Sequence, residues 1–78
     1  MKTYRISIDD HHCRPIRTHD WRDALGIALD RVFPGCWSPS AYANVTNGHA
    51  YIDVYKSGRG TSHLLRSHVE VTIKESQE

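Results

Sequence analysis

The sequence has little of what usually betrays a protein's class. Two cysteines among 78 residues, Cys13 and Cys36, exclude a disulfide-dense secreted scaffold. They flank a segment, 18–33, that would span about 24 Å as a helix, so a disulfide is awkward and two free thiols are expected. An excess of one charge is missing as well. Ten Lys and Arg stand against nine Asp and Glu, giving +1 with histidine neutral. Such a balance exerts no long-range pull toward nucleic acid or an anionic membrane and leaves only local patches. No apolar run approaches the roughly 20 residues of a membrane span. Met1-Lys2-Thr3-Tyr4 lacks the apolar stretch of a signal peptide, so a cytoplasmic location is expected. A chain of this length makes one domain over residues 1–78, with a thin core and no room for a deep substrate cavity.

What is present is one convincing helix. In 18–33, Trp21, Leu25, Ala28, Leu29 and Val32 recur at helical spacing. Asp20 or Thr18 offers a side-chain oxygen to cap it, Asp23 and Arg31 suit the two ends of its dipole, and Pro34-Gly35 closes it.

The rest reads as strands and connections. Residues 3–8 alternate, with Tyr4, Ile6 and Ile8 on one side. Residues 11–17 read as an irregular connection, with Ile16 turned inward against the first helical turn. Asn47-Gly48 predicts a type I′ hairpin joining strands 41–46 and 49–55. Its apolar face would be Ala41, Ala43, Val45, Ala50, Ile52 and Val54, assigned to the helix stripe. A glycine-rich loop over 56–62 leads to a last strand over 64–74, and 75–78 should fray. The expected fold is α+β, β-α-β-β-β, with one helix on one face of a mainly antiparallel four-stranded sheet, the first two strands parallel if neighbours.

One helix covers one face, and the other face carries the aromatic residues. Tyr42, Tyr51 and Tyr55 are expected there with His49, His68, Asp53, Glu70, Lys74 and Arg5. Tyrosine gives large contact area and a hydrogen bond at low entropy cost, which suits an interface. The competing reading is cross-strand pairing on a solvated face. Aromatic rings on an open sheet also suit stacking of single-stranded bases, although no RNP-type motif is present. The segment 57–62 lacks the Gly-Lys-Ser/Thr ending and the following helix of a phosphate loop, so Arg59 reads as a contact arm. Arg14 and Arg17 add contacts from the connection before the helix. His11-His12-Cys13, with His19 and Cys36, matches no zinc spacing, so neither metal nor cofactor is expected. Asp9-Asp10 beside His11-His12 is the one acid–base cluster, and with no pocket to shift its pKa values an enzyme is not expected.

The strand 4–8, the helix opening Asp20-Trp21-Arg22-Asp23-Ala24, the Asn47-Gly48 hairpin and the open Tyr/His/Arg surface resemble, in size and layout, small phage-encoded inhibitors, notably anti-CRISPR proteins of type I systems. The resemblance implies a non-enzymatic protein, in the cytoplasm of a host bacterial cell, that occludes part of a crRNA-guided surveillance complex or its nuclease. The expected partner is then a larger protein or ribonucleoprotein complex, met by Tyr42, Tyr51, Tyr55, His49, His68, Arg59, Arg14 and Arg17. A second copy of the chain is another occupant for the same face. The alternative is a small single-stranded nucleic-acid-binding domain using the Tyr/His face.

Overall fold

The computed structural model describes residues 1–38 and 40–76. Eight elements run in the order β1 (Lys2–Ile8), β2 (His11–His12), β3 (Ile16–Thr18), α1 (Trp21–Val32), β4 (Cys36–Trp37), α2 (Ala41–Asn44), β5 (His49–Ser57) and β6 (Ser62–Ser76). The class is α+β around one antiparallel sheet. Among the described residues it has six strands and two helices rather than the expected four and one.

The strand order is β2-β1-β6-β5-β4, with β3 on the same edge of β1 as β2. The first and last long strands are therefore neighbours, paired from Thr3 opposite Ser76 to Ile8 opposite Val71. The expected parallel contact of the first two strands does not form, because the chain after β1 turns straight back at Asp9-Asp10. Asp9 takes a φ of 51°, which allows a two-residue turn with Ile8 opposite His11. Glu75 and Ser76, expected in the frayed tail, are held in β6 by this pairing. Residues 77–78 of that tail lie outside the described residues.

Alternation in β1 buries Tyr4, Ile6 and Ile8 on the helix side. β5 and β6 add Ala50, Ile52, Val54, Val69 and Val71 to the same layer. Ile16 turns inward as expected, but within β3, opposite Tyr4. α1 begins where Asp20 accepts hydrogen bonds from the amides of Arg22 and Asp23, at 2.8 and 3.1 Å. Ala24, Leu25 and Ala28 are fully buried, while Trp21, Leu29 and Val32 lie half-buried around them. The stripe lies chiefly over β1 and β3 and less over the hairpin face assigned to it, whose Ala50, Ile52 and Val54 share its buried cluster.

The hairpin explains why. Asn47 and Gly48 have φ of 53° and 76°, so the type I′ turn forms, with Thr46 bridged to His49. The strand expected over 41–46 does not. Ala41–Asn44 is one turn of helix, with the Asn44 amide bonded to the Ser40 carbonyl at 3.0 Å. Alanine favours helix over strand, so the alternation of Ala41 and Ala43 imitates a strand without its β-branched residues. Ala41 is buried and Ala43 exposed as a result.

Beyond the domain body, β5 and β6 continue as a two-stranded arm. It gives the molecule a long axis of 44 Å against 21 and 19 Å across. Every residue from Lys56 to His68 is exposed. β6 carries two irregularities there, between the pairs Ile52/Val69 and Val54/Arg66 and between Val54/Arg66 and Tyr55/Leu64. Each adds one residue to β6, which strengthens the local twist and re-aims side chains.

Candidate functional site

Among the described residues nothing covers the sheet face opposite α1, and the register says what it carries. Thr72 stands between Ser7 and His49, and Ser7 opposite His12. One row on, Arg5 faces Lys74. On the other side Glu70 faces Tyr51, followed along β5 by Asp53 and Tyr55.

Trp37 and the β5 rings form a row along this face. Trp37 sits opposite Tyr55 on the edge strand, with ring centroids 5.2 Å apart and planes at 26°. Its indole Nε1 donates to Ser57 Oγ at 3.1 Å. Tyr51 stacks on His68 at 4.9 Å and 27°, and meets the edge of His49 at 5.1 Å. Trp37 is 42% exposed and Tyr51 48%, so the rings stack on each other and still face solvent. Leu64, 53% exposed, pairs with Tyr55 and carries the row onto the arm.

The β6 bulge builds half of this row. His68 takes a φ of 58°, a left-handed conformation that costs an L-residue about 1–2 kcal/mol. Its amide donates to Asp53 Oδ1 at 3.4 Å, and the turned backbone brings the imidazole to Tyr51. Carboxylates hold the centre. His49 Nε2 donates to Glu70 Oε2 at 2.8 Å, and the Tyr51 hydroxyl reaches the same oxygen at 3.4 Å. Asp9 accepts from the Glu70 amide at 3.0 Å and pairs with Arg66 at 3.2 Å.

Five of the eight residues expected at the surface belong to this face or its edge: Tyr51, Tyr55, His49 and His68 at the row, and Arg17, opposite Thr3 on β3. Arg59 is at the tip of the arm, between Gly58 and Gly60, and Arg14 is exposed in the β2–β3 connection. Tyr42 does not belong. It lies on α2, on the helix side, tilted against Trp21 at 6.1 Å. Its hydroxyl packs 3.2 Å from where a Cβ on Gly26 would stand. The false strand over 41–46 had placed it on the wrong side.

By sequence Trp37 stands in a loop and fits either a plug at the end of the core or a contact for a partner; the structure places it, exposed, on the edge strand. Its strand, Cys36–Trp37, is two residues long, too short for alternation in the sequence to show. Cys13 is half-buried beneath the β2 edge, and burial pushes its thiol pKa up, against a smaller opposing pull from Arg31. A thiol held protonated is a poor nucleophile and a poor metal ligand. Among the described residues no three His, Cys, Asp or Glu side chains gather as a metal site. No helix among them is long and apolar enough to cross a membrane. Comparison with protein-family models, with curated proteins and with solved structures finds no match to this chain.

Proposed function

We propose that this chain is a non-enzymatic binding protein that docks its uncovered sheet face and arm onto a larger protein assembly. In the reading carried by its size and layout, it is a phage or mobile-element inhibitor acting in the bacterial cytoplasm on a type I CRISPR surveillance complex or its nuclease. The observation that supports docking is two stacked pairs on this face, Trp37 on Tyr55 and Tyr51 on His68, with Trp37 and Tyr51 exposed and Leu64 opposite Tyr55 on the arm. Rigid, pre-stacked rings lose little entropy on binding, which is what an interface anchor needs. A protein partner is favoured over single-stranded nucleic acid because Asp53 and Glu70 stand among the rings, where a phosphate backbone would meet like charge.

The test mixes the protein with a panel of purified type I surveillance complexes and their nuclease. Co-migration on gel filtration and reduced cleavage of target DNA are expected, both lost in the triple variant W37A/Y51A/Y55A with its circular dichroism unchanged. Uninhibited cleavage and no co-migration across the panel overturn the inhibitor reading. Salt-sensitive binding of short single-stranded oligonucleotides, lost in the same variant, would establish base stacking instead. A doubled mass for the protein alone would assign the face to a second copy.

A further inference from the structure

The uncovered face has a second feature, next to His49 on the side away from Trp37, argued from different residues than the docking reading. A recess of about 350 Å³ opens there between β1, β6 and the β2–β3 connection, lined by Arg5, Ser7, His12, Cys13, Thr72 and Lys74. Arg5 and Lys74 are direct cross-strand neighbours. Like charges so placed repel each other. Among the described residues neither has an ion pair. Among the described residues the carboxylates of this face are engaged elsewhere: Asp9 with Arg66, Glu70 with His49, Asp53 with the His68 amide. One row from the cations, Ser7 and Thr72 present hydroxyls side by side. His12 closes the rim, its Nδ1 hydrogen-bonded to Ser7 Oγ at 2.8 Å.

We infer that this recess binds a phosphate group. Arg5, Lys74 and the Thr72 hydroxyl offer donors from different directions, and the Ser7–His12 pair, sharing one hydrogen bond, adds to them; a phosphate presents three or four oxygens to such a set where a carboxylate presents two. A phosphate dianion also matches the pair of positive charges and converts their repulsion into a shared attraction. The guanidinium of Arg5 supplies a planar fork and the ammonium of Lys74 a point charge, a combination suited to a tetrahedral oxyanion. Of the other lining residues, Ile6 and Pro15 are apolar and Cys13 holds a thiol whose raised pKa favours the neutral form, so none opposes an anion. The phosphate comes either from the free inorganic ion or from a phosphate monoester.

The experiment is a titration of the ¹⁵N-labelled protein with inorganic phosphate at constant ionic strength, followed by amide and side-chain NMR shifts. Saturable shifts are expected at Arg5, Ser7, His12, Thr72 and Lys74. The double variant R5Q/K74Q alters two exposed side chains, so its spectrum elsewhere should be preserved. Its affinity should fall about tenfold or more. Thr72→Val is a second variant that leaves the charges alone, and it should weaken binding severalfold. A second arm uses adenosine 5′-monophosphate: tighter binding than the free ion identifies a monoester as the natural source, equal binding the free ion. Shifts that do not saturate, affinity unchanged in either variant, or acetate binding as tightly as phosphate would each overturn the assignment.

Discussion

The indole of Trp37 lies against the ring of Tyr55 on the uncovered face of the sheet, with centroids 5.2 Å apart. This contact ties the two-residue strand β4 to β5, and it does so at the point where the arm leaves the domain. Its loss in Trp37→Ala should cost about 1 kcal/mol, the worth of a stacked aromatic pair. Urea unfolding of the variant should show a slightly lower midpoint with an unchanged slope. A loss of several kcal/mol would mean that Trp37 supports the core rather than the surface.

His68 allows stability and surface chemistry to be separated. Its left-handed backbone is strained for any residue with a Cβ and free of cost for glycine. His68→Ala keeps that strain and loses the stack on Tyr51, so it should destabilise. His68→Gly loses the same stack but relieves the backbone, so it should be more stable than the alanine variant by about 1 kcal/mol. Thermal melts of the two compare them directly. Equal melting temperatures would show that the bulge does not persist in solution.

Gly48 is the opposite case, since nothing but hydrogen fits there. Its φ is 76°, and an added Cβ would collide with the Ile73 carbonyl oxygen, which belongs to backbone and cannot turn aside. The Gly48 carbonyl in turn accepts the Ile73 amide at 2.7 Å. Gly48→Ala therefore combines backbone strain with a forced separation of the turn from β6, and should destabilise by about 2–4 kcal/mol. That is a large share of the total for a domain this small, about 4–12 kcal/mol. Circular dichroism melts beside Asn47→Ala check it: both positions have positive φ, but only Gly48 meets the Ile73 carbonyl, so Gly48→Ala should melt lower.

Asn47-Gly48, like the β1 alternation and the Asp20 cap, was legible because one local rule decides it. The strands β2, β3 and β4 were not, because two or three residues give alternation no length in which to show. Residues 41–44 misled in a more specific way: small residues at alternate positions fit either period, and the choice fell to helix propensity and the burial of Ala41. Half of the uncovered face followed from β5, whose register the turn sets. His68 was expected there from the alternation of the last strand, but the bulge that turns its backbone and the edge pairing that places Trp37 do not announce themselves in composition.

Two protons tie the fold to alkaline pH. Burial raises the Cys13 thiol above its ordinary 9.0, and the hydrogen bond and charge of Glu75, 2.8 Å away, raise the Lys2 ammonium above its ordinary 10.5. In both cases the folded chain holds the proton more tightly than the unfolded chain does. Each contribution is therefore complete below the unfolded value and is lost as pH rises through the folded one. Stability should hold steady up to pH 9.0 on account of these groups and then decline, first through Cys13 and later through Lys2. Cys13→Ser should flatten the first part of the decline and Lys2→Gln the second, read from urea midpoints across the alkaline range. Alkylation gives an independent check: Cys13 in the folded protein should react with iodoacetamide more slowly than in denaturant at the same pH, because the thiolate is the attacking species. Equal rates would place the thiol in solvent and remove it from the alkaline decline, leaving Lys2 and Glu75, which join the first strand to the last, as the source of what remains.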